Sequence, residues 1–315
     1  MASVTLVEAA KLNQNPLVQG VIESIVTVNP IYSVLPFDQI LGNAINYNVE
    51  KALGGVDFVG VGGIQSGEST SDNTISATAK TPATFTPKTS VIKPMIGDAY
   101  VDHFIQSSMT NPNDQKAVQV ASKAKAIGRE FQDTMINGDS GSNPIVFDGL
   151  SVLVPGTQTI ATDSSGTTMS FDILDELISM VKAKDGQVDF FMMPDFLLRK
   201  YFSLLRGLGG ASISEVVNLP DGRTVPGYRN VPIFRNDYIP TASSKASIYA
   251  GTFDDGSRKV GISGLTTTVN SGIFVTELGE AEGTNDTITR VRFYCGFAMF
   301  TELGIARAQY VKTTA

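Results

Sequence analysis

This sequence contains few of the residues that catalysis and metal binding commonly use. It has one histidine and one cysteine in 315 residues. A single histidine confines histidine-based acid–base chemistry to one side chain and excludes metal sites built from several histidines. A single cysteine excludes an intrachain disulfide, so nothing here requires an oxidising compartment. The residue inventory therefore argues against most enzyme classes.

Charge is also scarce, and its balance is negative. Charged residues make up 17% of the chain, against about 25% in typical soluble proteins, and the formal net charge is -7. Binding to phosphate backbones requires clustered lysine and arginine, which this composition does not favour. A neutral surface rich in Thr, Ser and Asn suits burial against other subunits. A negative surface that faces DNA would limit adhesion of the DNA to the protein.

The sequence has no long apolar run. No stretch approaches the roughly 20 apolar residues that span a bilayer, so we predict no membrane association. Residues 1–10 have neither a basic segment nor a continuous apolar one, so we expect no secretory signal. Synthesis in the cytoplasm is the resulting expectation.

Short motifs that resemble catalytic ones lack essential parts. Ser142 occupies the position where the serine-protease pattern beginning at Gly138 would continue with glycine, and the interval from His103 is too short for that fold. The run Gly261 to Gly264 lacks nucleophile-elbow spacing, and Gly55 to Gly63 lacks the lysine of a phosphate loop. We predict no enzymatic activity, no cofactor and no metal site.

The first forty residues are predicted to form an arm, a segment with few contacts to the rest of its own chain. Asn15 followed by Pro16 is typical of a helix start, and apolar residues then recur at helical spacing: Leu17, Val18, Val21, Ile22, Ile25 and Val26. Beyond this helix, Pro30 and Pro36 bracket residues 31–35, which we expect to be extended with few internal partners. An ordinary edge helix remains the alternative.

In residues 45–94 the sequence pattern changes from helical spacing to alternation and glycine-rich, polar segments. Ile45, Tyr47 and Val49 alternate with polar residues, a glycine-rich crossing and a small, polar run follow, and Thr81 to Lys93 returns as extended chain. The pattern predicts a two-stranded excursion with exposed edges. It is longer than the usual limit of about 12 to 15 residues for a loop. A disordered linker is the alternative, and the apolar residues Phe58, Ile64, Phe85 and Ile92 weigh against it.

One long helix follows. Asn111 to Asp114 is typical of a helix start, and helical pattern continues to Asn137 before Gly138 ends it. The following segments then alternate between predicted strands and helices: strand 147–154, helix 170–184, strand 188–193, helix 194–206, and strands 231–234 and 247–250. Residues 287–311 predict a buried strand with Arg290 and Arg292 pointing outward. The fold class is α+β, with an α/β lobe.

Several short sequence motifs occur along the chain in a distinctive order. They are Asn137-Gly138 leading to Phe147-Asp148-Gly149-Leu150, then Met193-Pro194, then residues 225–233, then Tyr249-Ala250-Gly251-Thr252-Phe253, and finally Arg290-Val291-Arg292-Phe293. Together with the extended loop that precedes a long helix, this order resembles the major capsid proteins of the Hong Kong 97 type, found in tailed bacteriophages. The resemblance covers nearly the whole chain.

The resemblance implies five segments: an N-terminal arm (1–43), an extended β-hairpin loop (44–96), a peripheral domain with a spine helix (97–138), an α/β axial domain (139–278) and strands that close the peripheral domain (279–315). It further implies subunit contacts through the arm and the loop. Our candidates for these contacts are Leu17, Val21, Ile25, Phe58, Ile64, Phe85, Lys88 and Ile92.

The function implied by the resemblance is a major capsid protein. Such a protein self-assembles into hexamers and pentamers of an icosahedral shell that encloses double-stranded DNA without sequence-specific binding. Scaffold, portal and cement proteins are the implied partners, and the virion, assembled in the host cytoplasm, is the implied location. Alternatives remain open: a related encapsulating compartment, a decoration or tube protein, or an enzyme or carbohydrate-binding module with an α/β core and a lid loop.

Overall fold

The computed structural model describes residues 31–56, 81–108, 114–160, 165–182, 186–207, 216–219, 222, 224–269 and 272–313. The α-helices within these ranges are α1 (Ile31–Val34), α2 (His103–Ser108), α3 (Gln115–Asn137), α4 (Leu150–Leu153), α5 (Phe171–Lys182) and α6 (Asp195–Gly207), and two short 3-10 helices span Gly156–Gln158 and Glu302–Gly304.

The strands are β1 (Phe37–Ile40), β2 (Ala44–Ala52), β3 (Thr84–Val91), β4 (Lys93–Asp102), β5 (Thr159–Ile160), β6 (Thr167–Thr168), β7 (Phe190–Met193), β8 (Val216–Asn218), β9 (Thr224–Tyr228), β10 (Val231–Arg235), β11 (Lys245–Gly251), β12 (Ile262–Thr267), β13 (Ile273–Glu280), β14 (Asp286–Met299) and β15 (Ile305–Lys312).

The chain divides into two compact units. One unit is Ala44–Ser90, and the other comprises Met1–Asn43 with Val91–Ala315. Within the described residues, the larger unit holds a five-stranded and an eight-stranded sheet, and the smaller unit holds the pair β2 and β3. No helix among the described residues is long and apolar enough to cross a membrane.

The first sheet is organised around β14. One edge of β14 pairs antiparallel with β4 from Asp286 to Cys295. Its other edge pairs antiparallel first with β13 and then with β12, and β1 adds to β12 in parallel. The expectation that this aromatic segment forms a buried strand is confirmed, because Val291, Phe293 and Cys295 are almost wholly buried. Alternate residues of β14 point to the opposite face.

Helix α3 covers one face of this sheet. Asp114 caps it by accepting hydrogen bonds from the backbone N–H groups of Lys116 (2.9 Å) and Ala117 (3.2 Å). Its 23 residues give a length of about 35 Å. The predicted long helix is therefore confirmed, with Asp114 as the cap and Asn137 as the last residue.

Phe131 of α3 is the centre of an aromatic cluster. Its ring is fully buried and lies 5.6 Å from Phe37 of β1, 5.7 Å from Phe147 and 5.6 Å from Phe293 of β14, measured between ring centroids. Tilted aromatic pairs at this separation add stabilisation beyond the burial of area. Four segments distant in sequence thus meet at one side chain.

The second sheet belongs to the α/β lobe. Its strand order is β5-β15-β11-β7-β10-β9-β8, with β6 also on β15, and α5 packs against β11 and β15. Near α6, the Tyr201 hydroxyl donates to the Gly227 carbonyl at 2.6 Å. Tyr228 stacks on Phe171 and donates to Asp175, and its burial raises the pKa of Tyr228 to about 12. The α+β class and the α/β lobe are confirmed.

Two local expectations are wrong. Residues 147–154 were expected as a strand but contain helix α4, because the chain turns at Gly149, whose N–H donates to the Gly138 carbonyl at 2.9 Å. Residues 31–35 were expected to be extended with few partners. They instead form α1, and the side chain of Ile31 is fully buried in the core, so this part of the arm already packs on its own subunit.

The strand pairing also differs from the implied segments. Strands β12 and most of β13, within residues 262–278 that were expected in the axial domain, pair with β14 in the first sheet. Strand β15, expected to close the peripheral sheet, pairs with β11 in the second sheet. Apolar alternation identifies a buried strand but carries no information on which partner it takes.

Gly149 is required where the chain leaves α3. A Cβ atom added at Gly149 would lie 2.5 Å from the Thr134 carbonyl oxygen and 2.8 Å from the Gly138 nitrogen, closer than packed atoms tolerate. Gly128, in the middle of α3, has nothing within 4 Å of the equivalent position. The two glycines therefore differ in their tolerance of a methyl group.

We expect Gly149→Ala to lower the free energy of unfolding by about 1–3 kcal/mol, because the added methyl group forces backbone shifts. The matched control, Gly128→Ala, should raise it by about 0.5–1 kcal/mol through better helix propensity. Urea unfolding of the unassembled subunit measures both. Equal stability of the two variants would contradict this structure of the turn.

Candidate functional site

The side chains that commonly act in catalysis or metal binding do not cluster in the part of the chain that the structure describes. Among the described residues, no group of three or more His, Cys, Asp or Glu side chains is placed to hold a metal ion. The Nε2 atom of His103 lies 3.0 Å from the Thr287 hydroxyl and 3.4 Å from Glu280, at an exposed corner. These contacts join α2 to the end of the β13–β14 hairpin, and they orient no nucleophile.

The serine motif after α3 is a turn. Ser142 donates its hydroxyl hydrogen to Asp139 at 2.6 Å, and the Gly141 N–H donates to the same carboxylate at 2.9 Å. These hydrogen bonds, led by that of Ser142, hold the pKa of Asp139 below its ordinary value. The carboxylate therefore caps a turn, as its position after a helix predicts.

Cys295 lies on β14 in the core. Its side chain is fully buried, and this burial raises the pKa of the Cys295 thiol to about 12. Because the thiolate is the reactive form, such a thiol is chemically inert.

A cleft in the α/β lobe has a volume of about 350 Å³ and is lined in part by Lys182, Gln187 and Arg229. Arg229 is bound to Asp175 at 2.9 Å. The lining residues within the described part of the chain include no carboxylate, histidine or cysteine. The cleft thus lacks a pair of groups for general acid–base catalysis.

Two surfaces stand out instead, and the first is a ribbon formed by β2 and β3. Thr89 donates to the Asn46 side chain at 2.7 Å, and Gly55 N–H donates to the Thr81 carbonyl at 2.9 Å. The two strands therefore run in opposite directions. Among the strands that the structure describes, β2 and β3 pair only with each other. Each is therefore an edge strand, and an edge strand is a template for pairing with another chain.

Large apolar side chains are exposed on and beside the ribbon: Phe85 on β3 is 62% exposed, and Leu53 and Val56, just after β2, are exposed as well. Of the predicted contact residues, Phe85 is thus exposed, Lys88 is half-buried, and Ile92 is buried, its N–H donating to the Asn43 carbonyl. The remaining candidates lie outside the described residues: Leu17, Val21, Ile25, Phe58 and Ile64.

The second surface is the face of the first sheet opposite α3, which we name the open face. Strand alternation places on it Pro94, Ile96, Asp98, Phe274, Thr276, Arg290, Arg292 and Tyr294. Arg290 donates two hydrogen bonds to Asp98, at 2.6 and 2.8 Å, and these hold the pKa of Asp98 below its ordinary value. Phe274 and Tyr294 meet edge to face at 5.3 Å.

The open face continues into an apolar cleft of about 280 Å³, lined by Ile40, Leu41, Gly42, Thr267, Thr268, Val269 and Tyr294. The outward direction of Arg290 and Arg292 was predicted from the sequence and is confirmed by their register. The partners across the sheet were missed, because Ile96 and Phe274 join this face only through strand pairing. No sequence pattern identifies the cleft.

Comparison with known proteins identifies the fold. A chain of the holo-SrpI encapsulin complex from Synechococcus elongatus PCC 7942 is 18% identical, with 100% of this chain and 98% of that chain covered at a TM-score of 0.71. The capsid of an empty GTA particle gives 12% identity, 99% coverage of both chains and a TM-score of 0.62. A structure from Microbacterium phage Oxtober96 is 17% identical, with 98% of this chain and 99% of that chain covered at a TM-score of 0.59.

No protein-family model and no curated protein matches the sequence. At these low identities the likeness is one of fold, and it extends over the whole length of the chain. The chain therefore has the Hong Kong 97-type fold shared by capsid and encapsulin chains. The sequence-based expectation of this fold is confirmed.

We expect Cys295 to resist thiol reagents in the native protein at mildly alkaline pH and to react fully once the chain is unfolded. The unfolded thiol has a pKa of about 8.5, so the contribution of Cys295 to stability is complete below that pH. It falls as pH rises towards about 12. Labelling with a chromogenic disulfide, with and without guanidinium, measures this. Rapid labelling of the native protein would contradict the burial.

Proposed function

We propose that this chain is the major capsid protein of a tailed bacteriophage, the repeating subunit of a closed icosahedral shell. The observation that carries the proposal is the full-length likeness to chains of a GTA capsid and of an encapsulin. In this proposal the protein has no enzymatic activity. The dispersed ionisable groups support that part, and they disfavour the alternative of an enzyme or carbohydrate-binding module.

Physical features of the chain support self-assembly. A shell subunit forms the same modest contacts many times, and symmetric repetition multiplies their effect. The exposed edges of the β2–β3 ribbon and its apolar side chains suit such contacts. We propose that copies form hexamers and pentamers through the ribbon and the arm. The predicted contact residues Leu17, Val21, Ile25, Phe58, Ile64, Phe85, Lys88 and Ile92 belong to this proposal, with buried Ile92 acting through the strand it supports.

The contents and surroundings of the shell follow from the same proposal. The shell encloses double-stranded DNA without reading its sequence, and a net charge of -7 limits adhesion of the genome to the wall. Scaffold, portal and cement proteins are the proposed partners. The protein would assemble in the host cytoplasm and reside in the virion.

The ribbon provides a direct test. Its ends are adjacent, because the Ile92 N–H donates to the Asn43 carbonyl at 2.8 Å, so a short Gly-Ser linker replaces residues 45–90 without strain. We expect this deletion to leave the urea midpoint of the remaining body unchanged and to abolish particles seen by light scattering and electron microscopy. An unfolded product would contradict the independence of the ribbon, and normal particles would contradict its role.

A matched pair of substitutions refines this test. Phe85 and Thr84 are neighbouring, exposed residues on β3. We expect Phe85→Ser to raise the concentration needed for assembly by about tenfold, equivalent to about 1.4 kcal/mol, while Thr84→Ser leaves it unchanged. Equal effects would remove Phe85 from the contact residues.

An encapsulating protein compartment is the second candidate, favoured by the TM-score of 0.71 to the encapsulin chain. Particles isolated from the natural source distinguish the two functions. A capsid is expected to retain nuclease-protected double-stranded DNA, and its absence together with a co-purifying enclosed protein would favour the compartment. Nuclease treatment followed by electrophoresis of nucleic acid and protein makes the measurement.

A further inference from the structure

The short strand β1 connects, in sequence, the two segments that we propose to contact other copies. The arm residues lead into its first residue, Phe37, and β2 of the ribbon begins at Ala44, shortly after its last residue, Ile40. Strand β1 has only four residues, and among the described strands it pairs with β12 alone. So short a pairing provides few hydrogen bonds, so the position of β1 depends on further contacts.

Arg258 supplies such a contact at the outer edge of β1. Its guanidinium donates two hydrogen bonds to the Asp38 carboxylate, one of them at 2.9 Å, and a third to the Gln39 carbonyl at 3.0 Å. In a parallel pair of strands, alternate residues direct their backbone groups to the same partner, and the Pro36 carbonyl accepts from the N–H of Gly264 in β12. Gln39 therefore directs its carbonyl away from β12, and Arg258 occupies the edge where a further strand would pair.

The turn that carries Arg258 has two unfavourable local features. Arg258 has a φ of +58°, a left-handed conformation that costs energy for residues other than glycine. Asp254 is 7% exposed, and this burial raises the pKa of its carboxyl group. The carboxylate accepts a hydrogen bond from the Arg258 N–H at 3.1 Å, so the buried group holds the left-handed residue. Strained conformations of this kind persist where surrounding contacts determine them, and they cluster at functional sites.

This turn is also fixed at both of its ends, where the chain crosses from the second sheet to the first. At its start, the Phe253 ring stacks on Phe190 of β7 at 4.6 Å between ring centroids, and the Phe253 N–H donates to Asp189 at 3.0 Å. At its end, the Gly261 carbonyl accepts from the N–H of Phe300, just after β14, at 3.0 Å. The turn is therefore a fixed point from which its arginine can hold β1.

We propose that Asp254 and Arg258 form a latch that holds β1 on its own subunit, so that the arm and the ribbon extend towards neighbouring copies from a fixed strand. Both are positioning residues in this proposal, because they act on assembly through β1 and not by contact with another copy. The inference rests on the proposed function. It adds the residues that hold the strand from which both contact segments extend.

Hydrogen exchange of the unassembled full-length subunit tests the latch. Arg258→Gln removes the charge and the paired donors, and we expect it to raise the exchange rate of the amides in residues 37–40 by about tenfold. Lys259→Gln makes the same change of charge at the next residue and should leave those rates unchanged. Unchanged rates in the Arg258 variant, or a uniform rise throughout the subunit, would overturn the latch.

Two changes at Asp254 separate its role as a hydrogen-bond acceptor from its charge. Asp254→Asn keeps a carbonyl oxygen for the Arg258 N–H, whereas Asp254→Ala removes the acceptor. We expect exchange in residues 37–40 to stay at or below the wild-type rate in the Asn variant and to rise at least several-fold in the Ala variant. Equal rates in the two variants would overturn the role of Asp254.

The concentration needed for assembly, measured by light scattering, tests the consequence for the shell. Arg258→Gln should raise this concentration several-fold, whereas Lys259→Gln should leave it unchanged. Equal concentrations for the two variants would overturn the positioning role but not the shell function, because particles still form. Failure of the unmodified protein to assemble would overturn the function itself.

Discussion

The packing around Phe131 is the interaction on which the rest of the subunit depends. Rings from β1, from the turn after α3 and from β14 surround this side chain within 5.7 Å. Each of these segments comes from a different part of the chain, so the contact fixes the long helix on the first sheet and ties the entry of the chain to its end. Because interiors are densely packed, such a cluster makes this part of the subunit resist deformation.

The first sheet has a helix on one face, and no helix or strand of the described residues covers its other face. In a solitary protein an uncovered apolar face is a liability, but in a subunit that repeats it is a means of association. The same holds for the β2–β3 ribbon, in which each strand pairs with no other strand among the described residues. Both features have a common physical cause: this chain places apolar and hydrogen-bonding surface outside the cores that it closes by itself.

Much of the fold could be predicted from the sequence. The helix-start residues Asn111 to Asp114 and the helical pattern after them predicted the long helix, and the alternation of β14 predicted a buried strand with two outward arginines. Strand partners could not be predicted, since β15 and β14 are similarly apolar but join different sheets. Residues 31–35 were misjudged because the flanking prolines suggested extension, whereas tertiary burial of Ile31 outweighs that local preference. The open face required register between strands about 190 residues apart, as for Arg290 and Asp98.

The most direct measurement is electron cryo-microscopy of the purified full-length protein across a range of concentrations. Self-association through repeated, modest contacts predicts closed shells in which five-fold and six-fold clusters coexist, with residues 44–90 of each copy contacting a neighbour. A monodisperse monomer at every concentration, with the hydrophobic ribbon still exposed to solvent, would contradict the central claim.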